Sequence, residues 1–127
     1  EGTDALISEI NQEVRRHHAR LVVATITQAI QLHPDANVRS QFAHQLGAPN
    51  LFYPESRIEA LGKELAFDVV ALSRPMLEVA TRDQQYFHGF DNTGFGEGHW
   101  NVAGHRLAGE LIAQVLLESR GESAGGK

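Results

Sequence analysis

The sequence predicts an α/β domain with a parallel sheet. Two runs rich in apolar and β-branched residues, 21–26 (Leu-Val-Val-Ala-Thr-Ile) and 67–72 (Phe-Asp-Val-Val-Ala-Leu), stand among segments of helical periodicity. The first lacks the polar alternation of a strand with one wet face, so both are read as buried strands. Strands separated by helices pair in parallel through right-handed crossovers. With 127 residues, 42% of them hydrophobic and 21% charged, the chain is expected to form one core over 1–120, with a frayed tail at 121–127.

The elements follow in order. Segment 3–19 places Leu6, Ile7, Ile10 and Val14 at helical spacing, with Glu9, Glu13, Arg15 and Arg16 on the other side. His17 and His18 close that helix beside the two arginines, where cations suit the helix dipole. After strand 21–26, Pro34 and Asp35 signal a turn, and Val38, Phe42 and Leu46 repeat at four-residue intervals before Gly47 stops the helix. A third helix starts near Pro54 and turns Ile58, Leu61 and Leu65 inward. After strand 67–72, Pro75 falls in the first turn of a fourth. Segment 84–98 is a patternless stretch of glycines, aromatics and polar residues, a length of loop that is usually functional or disordered. Asn101 then caps a last helix with the clearest apolar stripe in the chain, Leu107, Leu111, Ile112, Val115 and Leu116.

Composition removes several classes. There is no cysteine, which excludes disulfides, thiolate metal sites and a cysteine nucleophile. Eleven basic residues against sixteen acidic ones give a formal charge of -5, so no electrostatic footprint for nucleic acid is present. The longest apolar run is too short to span a bilayer. Two strands leave a sheet with open hydrophobic edges, which predicts either a homo-oligomer or a missing N-terminal segment that completes it. That the first residue is Glu rather than Met fits the second expectation.

The chemistry concentrates in 95–105, Phe-Gly-Glu-Gly-His-Trp-Asn-Val-Ala-Gly-His. Glu97 and His99 stand two residues apart on a Gly-rich loop that runs into a capped helix. A histidine acting on a hydroxyl needs one ring nitrogen free and the other held by a carboxylate, and this pair can supply both. The alternative is a loop pair that only orders the helix entry, with Glu97 near the positive end of the dipole. Trp100 reads as a packing anchor. The aromatic residues Tyr86, Phe87 and Phe90 read either as packing beneath the loop or as the lining of an acyl pocket.

This block resembles the final block of the SGNH or GDSL hydrolases, in which Asp-Gly-His-Trp-Asn, two residues, then Gly-His is common. Here it reads Glu97-Gly98-His99-Trp100-Asn101-Val102-Ala103-Gly104-His105. Strand 21–26, His33-Pro34, Tyr53-Pro54 and strand 67–72 extend the likeness. The resemblance implies a flavodoxin-like three-layer α/β/α sandwich, incomplete here, and serine-dependent hydrolysis of an acyl or acetyl ester. His99 maps onto the base and Glu97 onto the acid, one methylene longer than the family's Asp; Asp91 is a substitute acid in the same loop. No cofactor is implied, and although Glu97, His99 and His105 are zinc-ligand types, no metal is expected. Relatives are often exported. The family's Gly-Asp-Ser nucleophile block and its Gly and Asn blocks have no counterpart, and the serines at 8, 40, 56, 73, 119 and 123 fall in helices, caps or the tail. The chain therefore looks like a C-terminal portion that carries base and acid without the serine; the contrasting reading is a non-catalytic module that oligomerises through its sheet edges.

Overall fold

The computed structural model describes residues 2–124 and is mostly helical around a small parallel sheet. The order is α1 (Gly2–Arg16), β1 (Val22–Ala24), a 3₁₀ turn (Ala29–Leu32), α2 (Ala36–Gln45), α3 (Tyr53–Leu65), β2 (Asp68–Val70), α4 (Ser73–Asp83) and α5 (Val102–Ala124). The mixed class and the parallel pairing agree with the sequence. The strands align Val22 with Asp68, Val23 with Val69 and Ala24 with Val70. Because strand side chains alternate in direction, Val22 and Val70 share one face while Val23 and Val69 share the other. The first face joins the core with Leu32, Leu72, Met76, Ala80, Phe87 and Ala108, against which Leu107, Leu111, Ile112 and Val115 of α5 pack. The second meets α3 at Gly62, where a Cβ would lie 2.5 Å from Val69 Cγ2. Helices thus cover both faces of the strand pair. Fully buried Leu72 and Met76 each contribute about 1.5–3 kcal/mol by leaving water.

Local chemistry sets several boundaries as expected. Asp35 caps α2 by accepting from Asn37 N at 2.8 Å, and Gly47 follows that helix at φ +61°. Proline occupies the first turn of α3, and Asn101 Oδ1 accepts from Gly104 N at 2.9 Å to cap α5.

Other expectations are corrected by packing. The strands are three residues each rather than six, and β1 is only half-buried; Ile26, placed in the strand by its apolar run, lies beyond it and is 76% exposed. β1 pairs with β2 alone among the described residues, so its outer edge stays open and its side chains are covered from one side of the pair only along that edge. The apolar stripe of α1 turns only partly inward. Leu6 and Ile10 are exposed, and the buried contact is made by Asn11, whose Nδ2 donates to Leu65 O at 2.9 Å. Phe42 and Leu46 of the α2 stripe are also exposed, as is Leu116. Of the expected tail 121–127, α5 takes in residues through Ala124, and 125–127 lie outside the described residues.

A buried carboxylate ties the strand ends to two helices. Glu55, in the first turn of α3, accepts through Oε1 from the Thr25 hydroxyl and from Ser73 N at 3.0 Å, the first residue of α4. Thr25 Oγ1 in turn accepts from Leu72 N at 3.2 Å. The negative charge sits where the N–H groups of α4 point, which is where a helix favours it.

Candidate functional site

The site is assembled from the loop between α4 and α5 and the turn that follows β1. Segment 86–88 lies antiparallel to 99–101: Asn101 N donates to Phe87 O at 2.9 Å and Gly89 N to His99 O at 3.0 Å, with His88 opposite Trp100. Between them the loop folds back on itself through Gly96 N to His88 O, 2.8 Å. Gly89 makes this possible. Its φ is +85°, and a Cβ there would stand 2.0 Å from Gly94 O, so no other residue fits. Asn101 adds a second tie, donating from Nδ2 to Tyr86 O at 2.9 Å.

Trp100 anchors the loop to the body of the fold, as the sequence led us to expect. Its Nε1–H donates to Thr27 Oγ1 at 2.7 Å, and the ring meets His88 and His105 edge-on. Thr27 also binds the other side of this junction: its carbonyl oxygen is 3.3 Å from His88 Nε2. A carbonyl can only accept, so Nε2 carries the proton and Nδ1 of the neutral ring is a bare acceptor. That Nδ1 is buried without a partner among the described residues. Burial pushes the His88 pKa below its ordinary value, and nearby His99 pushes the same way, against the opposing pull of the Thr27 carbonyl.

Above this junction is a cleft of about 500 Å³, lined by Ile26, Thr27 and Gln28 on one side and by Gly98, His99, Trp100 and His105 on the other. It opens just past the carboxyl end of β1, where α/β sheets commonly place their ligands. His99 is exposed at this cleft, on backbone pinned to 88–89. Glu97 is exposed as well, between Gly96 at φ +84° and Gly98 at φ +70°, and no hydrogen bond joins its carboxylate to the His99 ring among the described residues. Asp91 lines a different cleft, bounded by Tyr86, Phe90 and Phe95. Ser8, Ser40, Ser56 and Ser73 do not line the His99 cleft. Among the described residues, no group of three His, Asp or Glu is placed to hold a metal ion.

The structure therefore ties His99, Trp100 and Asn101 into one hydrogen-bonded unit, leaves Glu97 without a bond to the His99 ring among the described residues, and places Asp91 at a different cleft. It adds Thr27 and His88, which sequence reasoning passed over. His88 carried no signal because its role depends on a residue 61 positions away. Thr27 follows an apolar run, and only the position of Trp100 makes its hydroxyl matter. No family model matches this chain, and no match was found among curated proteins or solved structures, so the chemistry rests on the geometry itself.

Proposed function

We propose that this chain is the base-bearing C-terminal portion of an SGNH-type serine ester hydrolase, within a flavodoxin-like α/β/α sandwich. The observation that carries the reading is the placement of His99: an exposed imidazole on a pinned loop, at a cleft beyond the carboxyl end of a parallel strand. In this role His99 accepts the proton of a serine hydroxyl as the oxygen attacks an acyl or acetyl ester carbonyl. It then delivers that proton to the departing alcohol, and the cycle repeats with water to release the acid. Glu97, two residues before His99 and between glycines at positive φ, is the carboxylate that this reading assigns to the second ring nitrogen. The serine and the oxyanion donors come from a segment outside this chain.

The test uses the intact protein with p-nitrophenyl acetate and a serine-directed phosphonate, read by hydrolysis and intact mass. The expected result is a single phosphonate adduct with loss of activity, and a His99→Ala variant that folds normally but turns over several orders of magnitude more slowly. Wild-type turnover in that variant would refute the assignment of the base.

A second reading is a non-catalytic module that oligomerises through its sheet. The observation favouring it is the outer edge of β1, unpaired among the described residues, next to exposed Ile26. It predicts no hydrolysis, no adduct and an oligomeric mass in light scattering at micromolar concentration.

A further inference from the structure

The cleft away from His99 has a chemistry of its own. About 560 Å³ in volume, within the range of small-molecule sites, it lies between the end of α4 and the start of α5. Tyr86, Phe90 and Phe95 supply its aromatic surface, and Tyr86 and Phe95 stack with ring centroids 6.4 Å apart. Phe95 is 58% exposed and Phe90 is also exposed, a cost in water that the core does not require. Tyr86 is held in place by His33, edge-on to it at 5.4 Å, and by Gly96, where a Cβ would come within 3.1 Å of its ring.

The charged side chains that line this cleft are of one sign. Two carboxylates line the cleft, and no lysine, arginine or histidine does. Asp83 is neutralised by the two-point grip of Arg82, at 2.7 and 2.8 Å. Asp91 forms no hydrogen bond or ion pair among the described residues. An anion would meet the Asp91 carboxylate, while a neutral apolar ligand would leave that carboxylate unused. A cation with an apolar body complements both carboxylate and rings, since aromatic faces attract ammonium groups and a carboxylate adds to the attraction.

We propose that the Tyr86, Phe90 and Phe95 cleft, with Asp91 at its margin, is a binding site for an alkylated or quaternary ammonium group. The site is separate from the ester chemistry proposed above and stands without it.

The experiment titrates the ¹⁵N-labelled chain with choline and, separately, with its uncharged isostere 3,3-dimethylbutan-1-ol, at constant ionic strength. Saturable amide shifts at Gly89, Phe90 and Phe95 are expected for choline, with the isostere binding about tenfold more weakly. Asp91→Asn and Phe95→Leu are expected to lower choline affinity several-fold each and to leave the isostere's affinity unchanged or, for Phe95→Leu, little altered. Both positions are exposed, so both variants keep the fold. Equal binding of choline and isostere would reduce the cleft to an apolar groove and overturn the proposal. Absence of saturable shifts, shifts confined to other residues, or full affinity in Asp91→Asn would overturn it as well.

Discussion

Substituting alanine for one glycine of α5 should destabilise the protein, and for another should stabilise it. At Gly104 an added Cβ would lie 2.3 Å from Phe87 O and 3.1 Å from Trp100 Cβ, where ordinary contact begins near 3.4 Å. The obstacle is backbone, so the first turn of α5 must retreat by about 1 Å from segment 86–88. That retreat strains the bond from Asn101 N to Phe87 O, worth about 1 kcal/mol, and over-packing costs about 1–3 kcal/mol more. Relief of glycine's backbone entropy returns only about 0.5–1 kcal/mol. Gly104→Ala should therefore lose about 2 kcal/mol. Gly109, five residues on in the same helix, has nothing within 4 Å of its virtual Cβ, so Gly109→Ala should gain the entropic term alone, about 0.5–1 kcal/mol. Urea unfolding followed by helical circular dichroism reads both; with an m-value of about 2 kcal/mol/M, the midpoint falls by about 1 M for the first and rises by a few tenths for the second. If Gly104→Ala proved as stabilising as Gly109→Ala, the close seat of α5 on the His99 loop would not be what holds that loop.

Two further outcomes follow from the buried polar groups. The His88 pKa is depressed, so above its ordinary value of 6.5 both folded and unfolded chains hold it neutral; as pH falls below 6.5 the unfolded chain gains a proton that the folded one resists, and stability declines. His88→Phe should flatten the decline between pH 7 and pH 5, and urea midpoints with an unchanged slope in that variant would refute the linkage. At Glu55, alanine strands the Ser73 N–H and the Thr25 hydroxyl and should cost about 3–4 kcal/mol, whereas Glu55→Gln keeps the accepting Oε1 and should cost about 1 kcal/mol. Equal losses by thermal or urea melts would show that the charge, not the accepted hydrogen bonds, matters there.

The helix boundaries were legible because their causes are local. Asp35, Gly47, the proline in the first turn of α3 and Asn101 act within a few residues of themselves, through caps and fixed backbone angles. The parallel pairing was legible for a related reason: a helix between two apolar runs leaves the chain few other routes. The burial of each stripe was not. Leu6, Ile10, Phe42 and Ile26 have the spacing or run expected of core residues, yet lie exposed, because a periodic pattern marks a face without providing the surface that covers it.

The site divides along the same line. The sequence by itself determined that a histidine-bearing, glycine-rich loop enters a capped helix, and that Trp100 would anchor it. Tertiary structure decided which residues share a cleft. It set His99 beside Thr27 and Gln28, buried His88 beneath the loop with its tautomer fixed by a carbonyl 61 residues away, and placed Asp91 with Tyr86 and Phe95 instead. The physical reason is that capping and backbone conformation are properties of adjacent residues, whereas a cleft and a buried ring's hydrogen-bond partner depend on how distant segments pack.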